Sequence, residues 1–176
     1  MSLDGKVAFV TGGSGGLGRV HGMVLAQNGA NVALTANKNL DKAEEAAEEI
    51  RKLGRKAIAV KVDLSSEEEV NNAVAQVKQE LGSVDILVNN AAFGIVRAVN
   101  IVDMDRKDWD RDLGVNLTGP FNCIRVGDAG HDRETVGEDN KRLISNRNHG
   151  WPRASQLCGD KGGSDRPDQD SSPGRS

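Results

Sequence analysis

Between Thr11 and Gly18 the chain reads Thr-Gly-Gly-Ser-Gly-Gly-Leu-Gly, and no other stretch restricts its possible folds so much. Upstream, Lys6 to Val10 is an apolar run of strand length. Downstream, from about Gly16, the spacing of Leu17, Val20 and Val24 predicts a helix with these three side chains on one face. Glycines let the main chain turn sharply and bring its N–H groups close to a ligand with no side chain in the way. The helix that follows directs the positive end of its dipole, and its unpaired N–H groups, at the same spot, which suits a pyrophosphate. Gly13, Gly15 and Gly18 satisfy G-x-G-x-x-G, a weak signal alone, because glycine-rich strand-to-helix turns also serve packing. Its place after a strand and before a helix favours a nucleotide site. A P-loop is excluded, since no Lys-Ser or Lys-Thr pair follows the last glycine.

Similar punctuation continues along the chain. Gly29 ends the first helix, and a second strand runs from Asn31 to Thr35. From Asn39 to Leu53, the residues Leu40, Ala43, Ala47, Ile50 and Leu53 recur at helical spacing with Glu and Lys opposite, and Gly54 follows. A third strand, Ala57 to Val62, stops at Asp63. Ser65 with Glu68 predicts a capping box, opening a helix whose apolar stripe is Val70, Ala73, Val74, Val77 and Leu81. Gly82 closes that helix, and Asp85 to Asn89 is a fourth strand. Strands alternating with helices over short turns predict right-handed βαβ crossovers, hence an α/β fold with a Rossmann-like, doubly wound parallel sheet. Met104 to about Val126 predicts a further helix, broken or kinked near Gly114 and Gly119-Pro120, because proline removes a donor and crowds the preceding turn.

From Gly127 to Ser176 there is no Phe, few aliphatics, most of the prolines and no sustained period. Val136, Leu143, Ile144, Trp151 and Leu157 are too sparse to offset the entropy of ordering the segment. The expected organisation is a partial Rossmann dinucleotide-binding domain over residues 1–126 and a disordered tail over 127–176. The sheet is expected to stop after its fourth strand, leaving that strand as an open edge.

Composition narrows the function. With 176 residues and a net charge of −3, the chain suits one domain and shows no basic excess for nucleic acid. Neither a leader pattern after Met1 nor a membrane-length apolar run is present, so a cytoplasmic protein without membrane association is expected. Cys123 and Cys158 have no metal-ligand or CxxC spacing and read as reduced thiols, with no metal site. There is no tyrosine in the chain, which closes any mechanism that needs a phenol.

Four motifs together resemble the short-chain dehydrogenase/reductase family, nearest to its 3-oxoacyl-carrier-protein reductase-like members. They are Thr11-Gly12-xxx-Gly16-x-Gly18, Asp63-Leu64 after the third strand, Asn89-Asn90-Ala91-Ala92 after the fourth, and Val115-Asn116-Leu117 in the following helix, within residues 5 to about 126. The resemblance implies that Gly12, Ser14, Gly16, Leu17 and Gly18 hold the pyrophosphate and that Asp63 and Leu64 meet the adenine. It gives Asn90 and Ala91 to the ribose and nicotinamide side, and makes Asn116 the catalytic asparagine. Ala92 stands where the family usually has Gly. An NAD site generally carries an acidic residue at the end of the second strand, whereas here Thr35-Ala36-Asn37-Lys38 offers none. Asn37 and Lys38 therefore point to NADP as cofactor, with NAD as the alternative. The implied partner is a small carbonyl or alcohol substrate. The resemblance also implies a subunit interface along the helix around Asn116, largely missing here.

The family's reaction uses a Tyr, a Lys four residues later and a Ser, and none of the three is recognisable in frame. Ser145 in Leu143-Ile144-Ser145-Asn146 lies outside any recognisable strand. His21, His131 and His149 read as surface residues. With synonymous codons chosen and read one base later, Asp128 to Arg133 can spell Met-Pro-Gly-Met-Ile, and Lys141 to Ser145 can spell Asn-Val-Ser-Ser. In the same frame Leu157 to Gly162 can spell Tyr-Ala-Ala-Thr-Lys. These are the family's missing motifs in order, so the expectation is a frame change near Val126-Gly127, a C-terminally truncated family member, and a chain that binds dinucleotide without catalysing.

Overall fold

In the computed structural model, which describes residues 2–93, 99–129 and 143–146, five parallel strands lie in the order β3-β2-β1-β4-β5. The elements are β1 (Val7–Val10), α1 (Gly16–Gln27), β2 (Asn31–Ala36), α2 (Leu40–Lys52), β3 (Ala57–Lys61), α3 (Glu67–Glu80) and β4 (Ile86–Asn89). A short 3-10 turn (Ile101–Asp103) then leads to α4 (Arg106–Leu113), a π-helical turn (Gly114–Thr118), α5 (Gly119–Ala129) and β5 (Leu143–Asn146). The chain steps outward from β1 to β2 and β3, then returns to place β4 on the other side of β1. This reversal opens a crevice at the carboxyl ends of β1 and β4, and the glycine turn leaves β1 there.

Alternation along β1 builds the two layers of core. Ala8 and Val10 face α1 and α2 with Val32, Leu34, Ile50 and Val88, whereas Val7 and Phe9 face α3 and α5 with Val60, Val70, Val77, Leu87 and Cys123. A strand buried on both faces reads as the continuous apolar run seen in the sequence.

The face of α1 differs from its sequence expectation. Leu17, Val20 and Val24 point outward, about half exposed, and the buried side is Gly18, Gly22 and Ala26. The reason is distance: a Cβ on Gly22 would lie 2.7 Å from Cδ2 of Leu34, so the helix rests on β2 only because that position has no side chain. Similarly, Leu53 at the end of α2 is exposed, and Ala46 joins Ala43, Ala47 and Ile50 inside.

The capping box is displaced by one residue. Ser65 gives its N–H and hydroxyl to Oδ1 of Asp63, so it cannot cap, and Ser66 Oγ instead accepts from the N–H of Glu69 at 3.3 Å. The Glu69 carboxylate reaches back to the N–H of Asp63 at 2.7 Å. The expected break at Gly114 and Gly119-Pro120 is a widened turn within a continuous run, where the N–H of Gly119 bonds the carbonyl of Gly114. Gly119 also has a packing role, since a Cβ there would lie 2.9 Å from Cβ of Leu64.

Two expectations about the later chain change. Helix α5 continues to Ala129, past the expected boundary at 126, and Leu143–Asn146 forms a fifth strand beside β4, pairing Val88 with Ser145 and Asn89 with Asn146. The edge of β4 offers a row of unpaired N–H and C=O groups, and four residues satisfy it without a long apolar run. Ser145 therefore does lie on a strand. The rest of the expected tail, with Cys158, His131 and His149, lies outside the described residues. No described helix is long and apolar enough to cross a membrane.

Gly22→Val is expected to lower stability by about 2–3 kcal/mol in thermal denaturation, because the added methyls drive into Leu34. Val24→Ser on the outward face is expected to stay within about 0.5 kcal/mol. Equal effects would contradict this orientation of α1.

Candidate functional site

Thr11, fully buried, fastens the glycine turn to the end of β4. Its N–H bonds the carbonyl of Val88 at 2.9 Å, and its hydroxyl donates to the same carbonyl at 3.2 Å. That hydroxyl also accepts from the N–H groups of Asn90 at 2.9 Å and Ala91 at 3.0 Å. Asn90 completes the join, its side-chain amide donating to the carbonyls of Thr11 at 2.9 Å and Gly12 at 3.3 Å. On the other side, the N–H of Gly13 bonds the carbonyl of Thr35 at 2.7 Å. The turn is thus held between β2 and β4 by bonds that use up its inward-facing polar groups.

The glycines fit this position. Gly12 has φ +69°, and a Cβ there would approach Cα of Ala91 to 2.9 Å; one on Gly18 would run into the carbonyl of Gly12. At Gly15 and Gly16, by contrast, a Cβ would meet nothing within 4 Å, so the space above the turn is open. Helix α1 begins there with no side-chain cap and no acidic residue in its first turn, whereas α3 and α4 are capped by Ser66 and Asp105. Its first N–H groups are free for an anion.

A cavity of about 550 Å³ opens beside the turn. Of the expected site residues it brings together Gly12, Ser14, Asn37, Lys38, Asp63, Leu64 and Ala91. Gly16, Leu17, Gly18, Asn90 and Asn116 lie outside its lining: Gly18 is buried under the turn, Leu17 is on the exposed side of α1, and Asn90 is the strap just described. Oδ1 of Asn90 is buried without a partner, the one part of that side chain left for a ligand. The Ser65 hydroxyl holds the Asp63 carboxyl below its usual range; burial opposes this, while the Ser65 N–H and the Asn37 side chain add to it. Asp63 is therefore an anion with acceptor capacity at the cavity wall. No group of His, Cys, Asp and Glu suited to a metal occurs among the described residues.

Asn116 sits in the π-helical turn and spends its whole side chain on the loop after β4. Its Oδ1 accepts from the N–H of Phe93 at 2.8 Å, and its Nδ2 donates to the carbonyl of Phe93 at 2.9 Å. The Arg111 guanidinium lies 4.2 Å from the centre of the Phe93 ring. Asn122, buried in α5, bonds the carbonyl of Leu64 at 3.0 Å and so holds that wall of the cavity. Neither Thr11 nor Asn122 has a role in the sequence expectations. A polar residue inside a helical apolar stripe was the available signal for Asn122, and nothing local marks Thr11. Burial pushes the Cys123 thiol up to about 12, which makes it inert at neutral pH. His21 is half-buried with an unpartnered Nδ1, rather than a plain surface residue.

A family model described as short chain dehydrogenase matches residues 6–128. The 3-oxoacyl-[acyl-carrier-protein] reductase FabG of Staphylococcus epidermidis is 40% identical over 120 residues, covering 68% of this chain and 48% of the relative. The 2-dehydro-3-deoxy-D-gluconate 5-dehydrogenase of Formosa agariphila is 36% identical over 126 residues, covering 69% and 47%. The chain thus spans about half the length of the curated relatives it matches. Among solved structures, a short chain dehydrogenase from Burkholderia cenocepacia in complex with NADP is similar with a TM-score of 0.69 and 39% identity, over 73% of this chain and 52% of that one. A blue fluorescent protein from a metagenomic library in complex with NADPH gives 0.67 and 36%, over 74% and 53%.

Asn116→Ala is expected to cost about 1–2 kcal/mol, through two lost hydrogen bonds, and to lower hydrogen-exchange protection of the Phe93 amide roughly tenfold. Unchanged protection would show that the loop is held by something else.

Proposed function

The chain belongs to the short-chain dehydrogenase family, and from that premise we propose that it is the dinucleotide-binding part of an NADP-dependent oxidoreductase acting on a small carbonyl or alcohol. The single observation that carries this reading is the cavity that joins the glycine turn to the ends of β2, β3 and β4. In it the free N–H groups at the start of α1, with Gly12, Ser14, Gly16, Leu17 and Gly18, take the pyrophosphate. Asp63 and Leu64 take the adenine, and Asn90 and Ala91 border the ribose and nicotinamide. Asn116 positions the loop at Phe93 and touches the cofactor site only through it.

The preference for NADP rests on charge. From Thr35 to Asn39 the cavity wall has no carboxylate to repel a 2′-phosphate, and Lys38 makes no ion pair among the described residues. The same cofactor appears in the two structural neighbours named above, as NADP and NADPH. A bound nicotinamide supplies or accepts the hydride. The accompanying proton needs an acid or base from the protein, and with no tyrosine in the sequence the phenol of the family's reaction is missing. This chain therefore holds the cofactor without turning it over.

A second reading concerns the gene. The family's Ser strand and Tyr-x-x-x-Lys text, legible one base out of frame after Val126, favours a coding region that specifies the complete active enzyme when read in that frame. A stop codon in that frame after codon 127, or the lack of Tyr and Lys codons there, rules this out. The helix around Asn116 leaves Leu113, Leu117 and Phe121 exposed, and we assign that face to contact with another subunit in the complete enzyme.

Titration of the 176-residue chain is expected to show NADPH binding roughly tenfold tighter than NADH, about the worth of one charge-assisted hydrogen bond. Lys38→Glu is expected to erase the difference. An NADPH oxidation assay with carbonyl substrates is expected to stay at background. Absence of binding would contradict the dinucleotide reading, and turnover would contradict the role given to the missing tyrosine.

A further inference from the structure

Arg111 lies in none of the motifs that mark the site, yet its surroundings prepare it for a ligand. Arg111, Gly114 and Val115 are spaced i, i+3, i+4 along the α4 and π-turn run, so they share one face, and all three line the cavity. That face presses on the turn after β3: a Cβ on Gly114 would lie 3.2 Å from Cβ of Ser65, next to Asp63 and Leu64. The guanidinium is held twice. One flat side rests over the Phe93 ring, its carbon 4.2 Å from the ring centre, and Nη2 donates to Oδ1 of Asp108 at 2.6 Å. Phe93 is in turn gripped by both ends of the Asn116 amide.

With its charge met by Asp108 and one face on the ring, what Arg111 has left to offer is its second flat face. The side chain is 42% exposed, so that face is open rather than packed. A planar cation presenting a free face beside a slot prefers a flat, electron-rich heteroaromatic ring. In a dinucleotide lying across this cavity, the ring nearest Asp63 and Leu64 is the adenine.

We propose that Phe93 and Arg111 form a stacking platform for the adenine ring of the cofactor, with Arg111 as a cofactor-binding residue. This rests on the dinucleotide reading of the cavity. The adenine extends a stack of ring and guanidinium, against Leu64 and Val115 on its other side, and Asn116 supports the base of the stack through Phe93.

The test is calorimetric titration of the full chain with three probes: NADP, adenosine 2′,5′-bisphosphate for one half of the cofactor, and nicotinamide mononucleotide for the other. Arg111→Ala is expected to weaken NADP and the adenosine bisphosphate by roughly fivefold to tenfold and to leave the mononucleotide unchanged. Arg111→Lys keeps the charge but loses the flat surface, and is expected to behave like Arg111→Ala. If Arg111→Lys binds as wild type does, the residue acts by charge and the stacking claim is overturned. Equal losses for both halves would show that Arg111 acts only by holding the loop, which also overturns it. Wild-type affinity in Arg111→Ala removes this inference alone, whereas a wild-type chain that binds neither NADP nor the bisphosphate removes the dinucleotide reading with it.

Discussion

The join between Thr11 and Asn90 is the contact on which the site depends. One buried hydroxyl serves as donor to β4 and as acceptor for two successive N–H groups beyond it, and one amide returns to the carbonyls of the turn. A glycine-rich segment has many conformations to lose, so its shape must be imposed from outside. Here residues about eighty positions apart impose it, and because their polar groups are satisfied by each other, the N–H groups at the start of α1 are left for a ligand. The cradle is a consequence of how completely the opposite side of the turn is bonded.

Close approach is the second constraint. Gly22 lets α1 rest on Leu34, and Gly114 and Gly119 let the α4 to α5 run lie against Ser65 and Leu64. These contacts bring three helices and three strand ends around one cavity. The π-helical turn adds a residue to the run without breaking it, and Asn116 occupies that turn, aimed at the loop after β4. The widened turn, the loop and the wall at Leu64 thereby form one connected support.

Much of this was legible in the sequence because it is local. The strands β1 to β4 are runs of apolar residues bounded by glycine and Asp63, and their parallel pairing follows from the helices between them. The face of α1 was not legible, because hydrophobic periodicity counts large side chains while the approach of a helix to a sheet is set by its smallest ones. The cap of α3 shifted by one residue because Asp63 takes Ser65 first, a competition that spacing alone does not reveal. Strand β5 draws on the open edge of β4 rather than on its own composition. The role of Thr11 depends on Asn90 and Ala91, which only the folded sheet brings near. Where side chains act across the sheet, the sequence shows the residue types, and the fold decides what they touch.

The central claim is that the uncapped start of α1 is an anion cradle, and Gly15→Asp tests it most directly. Gly15 has an extended backbone, with φ 174°, and a Cβ there meets nothing, so the fold accepts the change. An aspartate at this position caps the helix with its own carboxylate, which should raise stability by up to about 1 kcal/mol. The same carboxylate occupies the N–H groups and repels pyrophosphate. The account predicts that thermal stability holds or rises while NADP affinity falls at least tenfold, so the two move apart. Wild-type NADP affinity in a stably folded Gly15→Asp chain would contradict it.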